Sequence, residues 1–301
     1  MLRLNEIKLP LNHSDDDLRL AILQKLGIGK EDLLDFSVYK RSHDARKKSA
    51  ILLIYQLDVT LTKATEARLL AQLPALSHVG PSPDTSYNFV AQADATFPAG
   101  EQQRPIIIGF GPCGILAALV LAQMGLKPIV VERGQDVRKR TQQTWGFWRK
   151  RKLNTESNVQ FGEGGAGTFS DGKLWSQVKD RRHLGRKVLN EFVIAGAPEE
   201  ILVESRPHIG TFKLVGMVEN MRAEIVRLGG DTKTLIAAKH QAFASMGAVG
   251  AGKYIALRGI GNGFGGIAAL AGHHHLPAIR ARRHAFLKSR CDVQNIARLI
   301  A

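Results

Sequence analysis

Between Leu53 and Leu61 every second residue is large and apolar. Leu53, Tyr55, Leu57, Val59 and Leu61 alternate with Ile54, Gln56, Asp58 and Thr60. A period of two predicts a strand with one buried face. Residues 2–11 and 35–41 also read as extended. Between them Leu18, Ala21, Ile22 and Leu26 fall on one helical face. Ser14 suits the N-cap, with Asp17 three residues on as a short capping-box partner, and Gly27 suits the left-handed stop. Residues 64–73 predict a short helix halted by Pro74, and Tyr87–Val90 a last strand. The resulting order, β-α-β-β-α-β, predicts a small α+β ferredoxin-like domain over residues 1–90.

Residues 91–104, AQADATFPAGEQQR, lack apolar periodicity and read as a linker. The pattern then changes to an uncharged apolar run, PIIIGFGPCGILAALVLAQMGL at 105–126. It is long enough to cross a bilayer. The glycines and proline crowded at 109, 111, 112 and 114 fit an apolar strand, a tight turn and a buried helix better. No membrane span is therefore expected. Further on, Leu214, Val218, Met221, Ile225 and Leu228 mark an amphipathic helix ended by Gly229-Gly230. A doubly wound sheet would next place a parallel strand, and there the apolar pattern falters.

The turn carries the candidate chemistry. Ile106-Ile107-Ile108 is a β-branched strand signal, and Gly109-Phe110-Gly111-Pro112-Cys113-Gly114 fits G-x-G-x-x-G. Gly109 allows the tight turn, Gly111 lets backbone approach a pyrophosphate, and Gly114 lets helix pack on strand. The first-turn N–H groups and the helix dipole favour phosphate, and Pro112 suits a position where no helical N–H bond is lost. After Ile129-Val130-Val131, Glu132 lies 21 residues beyond Gly111. A carboxylate there suits ribose hydroxyls and would repel a 2′-phosphate. The predicted class is therefore α/β, with a Rossmann-like nucleotide-binding domain over residues 105–231.

A second glycine loop, Phe161-Gly162-Glu163-Gly164-Gly165-Ala166-Gly167-Thr168, and the sequence Glu132-Arg133-Gly134 favour FAD over NAD. Together with residues 158–174, NVQFGEGGAGTFSDGKL, and with RPHIGT at 206–211, these motifs resemble a family of bacterial FAD-dependent dehydrogenases. That resemblance covers most of residues 1 to about 230. It implies that Gly109, Gly111, Pro112, Cys113, Gly114, Glu132 and Arg133 hold the ADP part of FAD. It places Gly164, Gly165, Ala166, Gly167 and Thr168 near the pyrophosphate and flavin. It also implies an oxidoreductase that moves hydride through flavin N5, with a small-molecule substrate it does not identify and NAD(P)H as a conceivable electron donor.

Asp171 and Lys173 are the catalytic candidates, because a lysine near flavin N1 would stabilise the reduced anion. A surface Asp-Gly turn explains them equally well. Cys113 at a helix start could be a stabilised thiolate, but a small packed side chain is favoured. His208 reads as structural. Cys113 and Cys291 form no close-spaced pair, so no metal site is expected and a reduced cytoplasmic setting fits.

The formal net charge of +15 raises the question of nucleic acid. Basic residues at 138–140 and 149–152 surround Trp145, Phe147 and Trp148, as a single-strand-binding surface would require. A solvated basic helix with two aromatics turned inward is the favoured explanation, and nucleic acid the disfavoured partner. A non-catalytic nucleotide- or nucleic-acid-binding protein, using the N-terminal domain and residues 138–152, is the competing function. Most of the excess charge lies elsewhere. Residues 232–301 hold 10 basic residues and one acid, with 15 Ala, 9 Gly and 5 His. There the family resemblance ends, leaving the Rossmann-like domain incomplete. Residues 259–267 are reminiscent of a closing glycine segment but lack its acid. The expectation is an aberrant tail, out of frame or poorly ordered, and with it weak FAD binding and loss of activity. Peptides spanning 225–260 in the native protein, found by mass spectrometry, would overturn the frame change.

Overall fold

The computed structural model describes residues 1–73, 76–99, 103–176 and 178–234, and the backbone strands at 254–258 and 267–271. The chain is mixed α/β and divides into two units. One comprises Met1–Thr85 with Glu199–Pro207, the other Ser86–Pro198 with His208–Ala301.

The first unit runs β1 (Leu2–Pro10), α1 (Asp15–Leu26), β2 (Leu33–Asp44), β3 (Leu52–Leu61), α2 (Lys63–Ala71) and β4 (Val79–Pro81). Its antiparallel sheet has the order β2-β3-β1-β4. The period of two in β3 is reproduced in burial, with Leu57 and Val59 fully covered. These residues share a core with Leu2 and Leu4 of β1, Ile22 and Leu26 of α1, and Leu69 of α2. The capping box forms. Asp17 N–H donates to Ser14 Oγ at 3.2 Å, and Ser14 N–H donates to the Asp17 carboxylate at 2.8 Å. Gly27 then ends α1 at φ 62°. Arg3, on the other face, makes a two-point pair with Asp58 at 2.8 Å and stacks on Tyr39. Residues 199–207 join this unit through Arg41, whose N–H donates to Val203 O and whose side chain pairs with Glu204.

The expected last strand at Tyr87–Val90 is not formed; Val79–Pro81 takes that place beside β1. Tyr87 and Phe89 alternate as strand residues would, but they belong to the second unit. Their rings meet edge-to-face at 5.2 Å, and Lys187 Nζ lies 5.2 Å from the Phe89 ring centre. The true strand is too short and too rich in Gly and Pro to show a pattern.

The second unit runs β5 (Ile106–Ile108), α3 (Pro112–Gln123), β6 (Ile129–Glu132), α4 (Val137–Lys150), α5 (Leu184–Ile194), α6 (Thr211–Arg227) and β7 (Asp231–Thr234), with β8 (Tyr254–Arg258) and β9 (Ile267–Ala271). The sheet order is β7-β6-β5-β9-β8. β5, β6 and β7 are parallel, while β9 is antiparallel to β5 and to β8. The parallel strand that seemed to falter is thus present as β7. Its sequence, DTKT, is polar because it lies at the sheet edge and needs no continuous apolar run.

Helix α3 accounts for the long apolar run. Residues 114–120 are all buried, so the helix is apolar all round because it is covered all round. No described helix is long and apolar enough to cross a membrane. Residues 91–99 are tied into this unit, with Ala93 N–H donating to Met124 O, Lys127 Nζ to Phe97 O, and Phe97 itself buried. Beyond Thr234, β8 and β9, the expectations for the tail, including residues 259–266, lie outside the described residues.

Candidate functional site

The turn from β5 to α3 is fixed by contacts that only glycine permits. Gly109 N–H donates to Val131 O at 2.8 Å, which holds the turn to β6. At Gly114 an added Cβ would lie 2.0 Å from Gly109 O, so helix and turn touch backbone to backbone. Gly111 is the N-cap of α3, and its carbonyl accepts the Ile115 N–H at 2.9 Å. An added Cβ at Gly111 would meet only Gly165 Cα, at 3.7 Å. Cys113 is half-buried, and burial pushes its thiol above the usual range, so the packed side chain describes it and a stabilised thiolate does not.

Glu132 ends β6 and turns back on the first loop. Its carboxylate accepts Phe110 N–H at 2.5 Å and Gly134 N–H at 2.8 Å. Arg133 points elsewhere. It pairs with Glu156 at 2.9 Å and lies 4.4 Å from the Phe161 ring centre.

The second glycine loop meets the first. Gly164 N–H donates to Phe110 O at 2.8 Å. Gly165, at φ 67°, sits where an added Cβ would be 3.0 Å from Pro112 Cδ and 3.3 Å from Gly111 Cα. The structure therefore brings Gly109, Phe110, Gly111, Pro112, Glu132, Gly164 and Gly165 together. Ala166, Gly167 and Thr168 follow in one short helical turn, of which Thr168 is buried.

Two buried charged residues organise this second loop, and neither was singled out from sequence. Arg140 of α4 is fully buried. Its guanidinium donates to the carbonyls of Asn158 at 2.8 Å, Val159 at 2.6 Å, Glu163 at 2.7 Å and Gly165 at 2.6 Å. Phe169 lies against its face, 4.8 Å away. Burial pulls its pKa down to about 10, against the opposing pull of Glu132 and Glu163, so it stays cationic at neutral pH. Glu163 is the second residue. It accepts Val137 N–H at 2.7 Å, at the start of α4, and Arg222 Nη1 at 2.5 Å. Burial raises its pKa, with the Val137 and Arg222 contacts opposing.

Arg140 changes the picture of the basic stretch. It is no part of a solvated face, and Arg138 is taken by Glu219 at 2.7 Å. The aromatics are not turned inward either: Trp145 is 48% and Trp148 51% exposed. The buried stripe of α4 is instead Val137, Arg140 and Thr144, with one apolar member. That explains why amphipathicity did not reveal it. Glu163 does carry a sequence signal, as the single acid inside a glycine loop.

The catalytic candidates Asp171 and Lys173 lie on a separate tie. Lys173 and Asp171 pair at 2.6 Å, with Lys173 74% exposed. The backbone at Lys173 forms an isolated antiparallel β-bridge with that at His208, and Ile209 N–H donates to Gly172 O at 3.1 Å. A cleft of about 230 Å³ between α3, α5 and α6, lined by Leu119, Ile194 and Met221, shares no residue with the glycine loops.

Residues 1–60 match a domain of unknown function, DUF8436. The chain is also similar to an uncharacterised protein of Clostridium beijerinckii, 45% identical over 232 residues, which is 76% of this chain. The chain spans only 42% of that relative's length.

Proposed function

We propose that the second unit is a Rossmann-like domain that binds FAD, that the first is a ferredoxin-like domain, and that the protein is an FAD-dependent oxidoreductase. The observation that carries this reading is the packing of Gly165 on Gly111 and Pro112 at the start of α3, beside Glu132. Parallel strands joined through a buried helix, with glycines at the turn and an acid at the second strand end, are what a dinucleotide phosphate and ribose need. A second glycine loop pressed on the first doubles the backbone available to a pyrophosphate and a flat ring.

The residues present fit the group. At Gly111 an added Cβ would make only ordinary contact, with Gly165 Cα at 3.7 Å, so backbone lines the mouth of α3, where the first-turn N–H groups lack helical partners. The Glu132 carboxylate is held at the loop by Phe110 and Gly134 and keeps lone pairs for the ribose hydroxyls. Held by the two glycine loops and Glu132, FAD would supply hydride chemistry at its N5. The protein's part is to hold it and to fix the charge around it.

The test is direct. The purified chain is expected to be yellow or to become so with added FAD, and to release FAD on denaturation. E132Q is expected to weaken FAD binding about tenfold, one charge-assisted hydrogen bond's worth. A colourless chain that takes up no added FAD would overturn the proposal. If such a chain also shifted labelled RNA with a steep salt dependence, the nucleic-acid reading of Trp145, Trp148 and Arg149 would replace it.

A further inference from the structure

We propose that Arg140 is the positioning residue of the phosphate site: it orients the second glycine loop and supplies a fixed positive charge behind it. The inference rests on the nucleotide-binding reading above and adds to it the residue that sets preference for an anionic ligand.

The argument begins with where the guanidinium N–H groups go. All four carbonyls it binds, from residues 158, 159, 163 and 165, must point inward to reach it. In a trans peptide the carbonyl and the following N–H point in opposite directions. An inward Glu163 carbonyl therefore turns Gly164 N–H away from Arg140, and that N–H does reach Phe110 O. By the same geometry, an inward Gly165 carbonyl turns Ala166 N–H to the opposite side, where Ala166 is exposed and Gly165 abuts Gly111. One side chain thus sets the direction of two peptide planes at the junction of the loops.

Charge completes the argument. A buried cation is ordinarily matched by a carboxylate. Among the described residues Arg140 has carbonyl partners and Thr168 Oγ1 at 3.4 Å, but no carboxylate within ion-pair reach. Glu132 and Glu163 act on Arg140 from beyond ion-pair distance, and Glu163 is itself matched by Arg222. Carbonyl dipoles satisfy the guanidinium hydrogen bonds without cancelling its charge. A pyrophosphate on the outer side of the Gly165 peptide would feel that charge through a region that excludes water.

The experiment uses the full chain, with ADP and adenosine as competitors of bound FAD. R140Q is expected to weaken ADP at least tenfold while changing adenosine less than threefold. R140K, which keeps charge but loses the planar fork, should fall between R140Q and wild type. A purely structural role would weaken both ligands alike, in step with lost thermal stability, and that result overturns the inference. If both Arg140 variants fail to fold, F169L decides. It removes the ring against the guanidinium and is expected to narrow the ADP-to-adenosine preference at least threefold in a folded protein; an unchanged preference overturns the inference. If wild type binds neither FAD nor ADP, the functional reading fails and this inference with it. If wild type binds both and the variants discriminate as well as wild type, only the role of Arg140 fails.

Discussion

The loop at Gly109–Gly114 and the loop at Phe161–Thr168 are both glycine-rich, and they touch, yet they are held in place differently. The first is fixed from within. Its glycines let β5, the turn and α3 approach until backbone meets backbone, and β6 adds hydrogen-bond acceptors in Val131 O and the Glu132 carboxylate. The second is fixed from behind, by Arg140 of α4 and by Val137 N–H and Arg222, which hold the loop's own Glu163. A loop of the first kind is written in a short motif. A loop of the second kind depends on side chains more than 20 residues away in sequence. The two should therefore respond differently to substitution.

The largest effect is expected at Gly114. A Cβ there would lie 2.0 Å from Gly109 O, and a backbone carbonyl cannot swing aside as a flexible side chain can. G114A should cost about 3 kcal/mol, even after the gain in helix propensity. Chemical denaturation would measure it, and FAD uptake should be lost with it. A neutral G114A would mean that the first loop is less tightly closed than its contacts imply.

A smaller effect is expected at Gly165, where the loops meet. Alanine at φ 67° carries a left-handed penalty of about 1 kcal/mol, and its nearest new neighbours are Pro112 Cδ at 3.0 Å and Gly111 Cα at 3.3 Å. G165A should lower stability by about 1–2 kcal/mol, less than G114A. It should still weaken FAD binding at least tenfold, because it widens the junction itself. Equal losses of stability and affinity at both positions would erase the distinction between the two loops.

The same distinction explains how much was legible. Strand β3 could be read residue by residue because one face is buried and the other wet, so period two survives in the sequence. The capping box of α1 and the βαβ unit from Ile106 to Glu132 are local patterns and emerged whole. β4 and β7 did not. Each is an edge strand of three or four residues whose polar or Gly-Pro sequence carries no periodicity. At the site, the glycines and Glu132 were legible because backbone approach demands particular residues. Arg140 was not, because it occupies a core position of α4 with a charged side chain, the reverse of what a helix pattern leads one to expect.

The smallest expected effect separates the two supports of the second loop. Glu163 binds Val137 N–H and Arg222 through one carboxylate oxygen, while its other oxygen is buried without a hydrogen-bond partner. A glutamine keeps an acceptor for Val137 and relieves the burial of charge, but it loses the attraction to Arg222. These opposing terms should leave E163Q within about 1 kcal/mol of wild type at neutral pH. The pH dependence is more telling. Burial raises the Glu163 pKa above its usual 4.5, so in the window between the two values the folded protein binds more protons than the unfolded chain. Stability from this group therefore falls as pH rises through that window and is greatest below it. Wild type should gain on E163Q as pH drops from neutral toward 4.5, measured as the difference between their urea midpoints. A difference that does not change with pH would show that Glu163 stays ionised throughout, tied to Arg222, and that the second loop is held by two fixed charges of opposite sign.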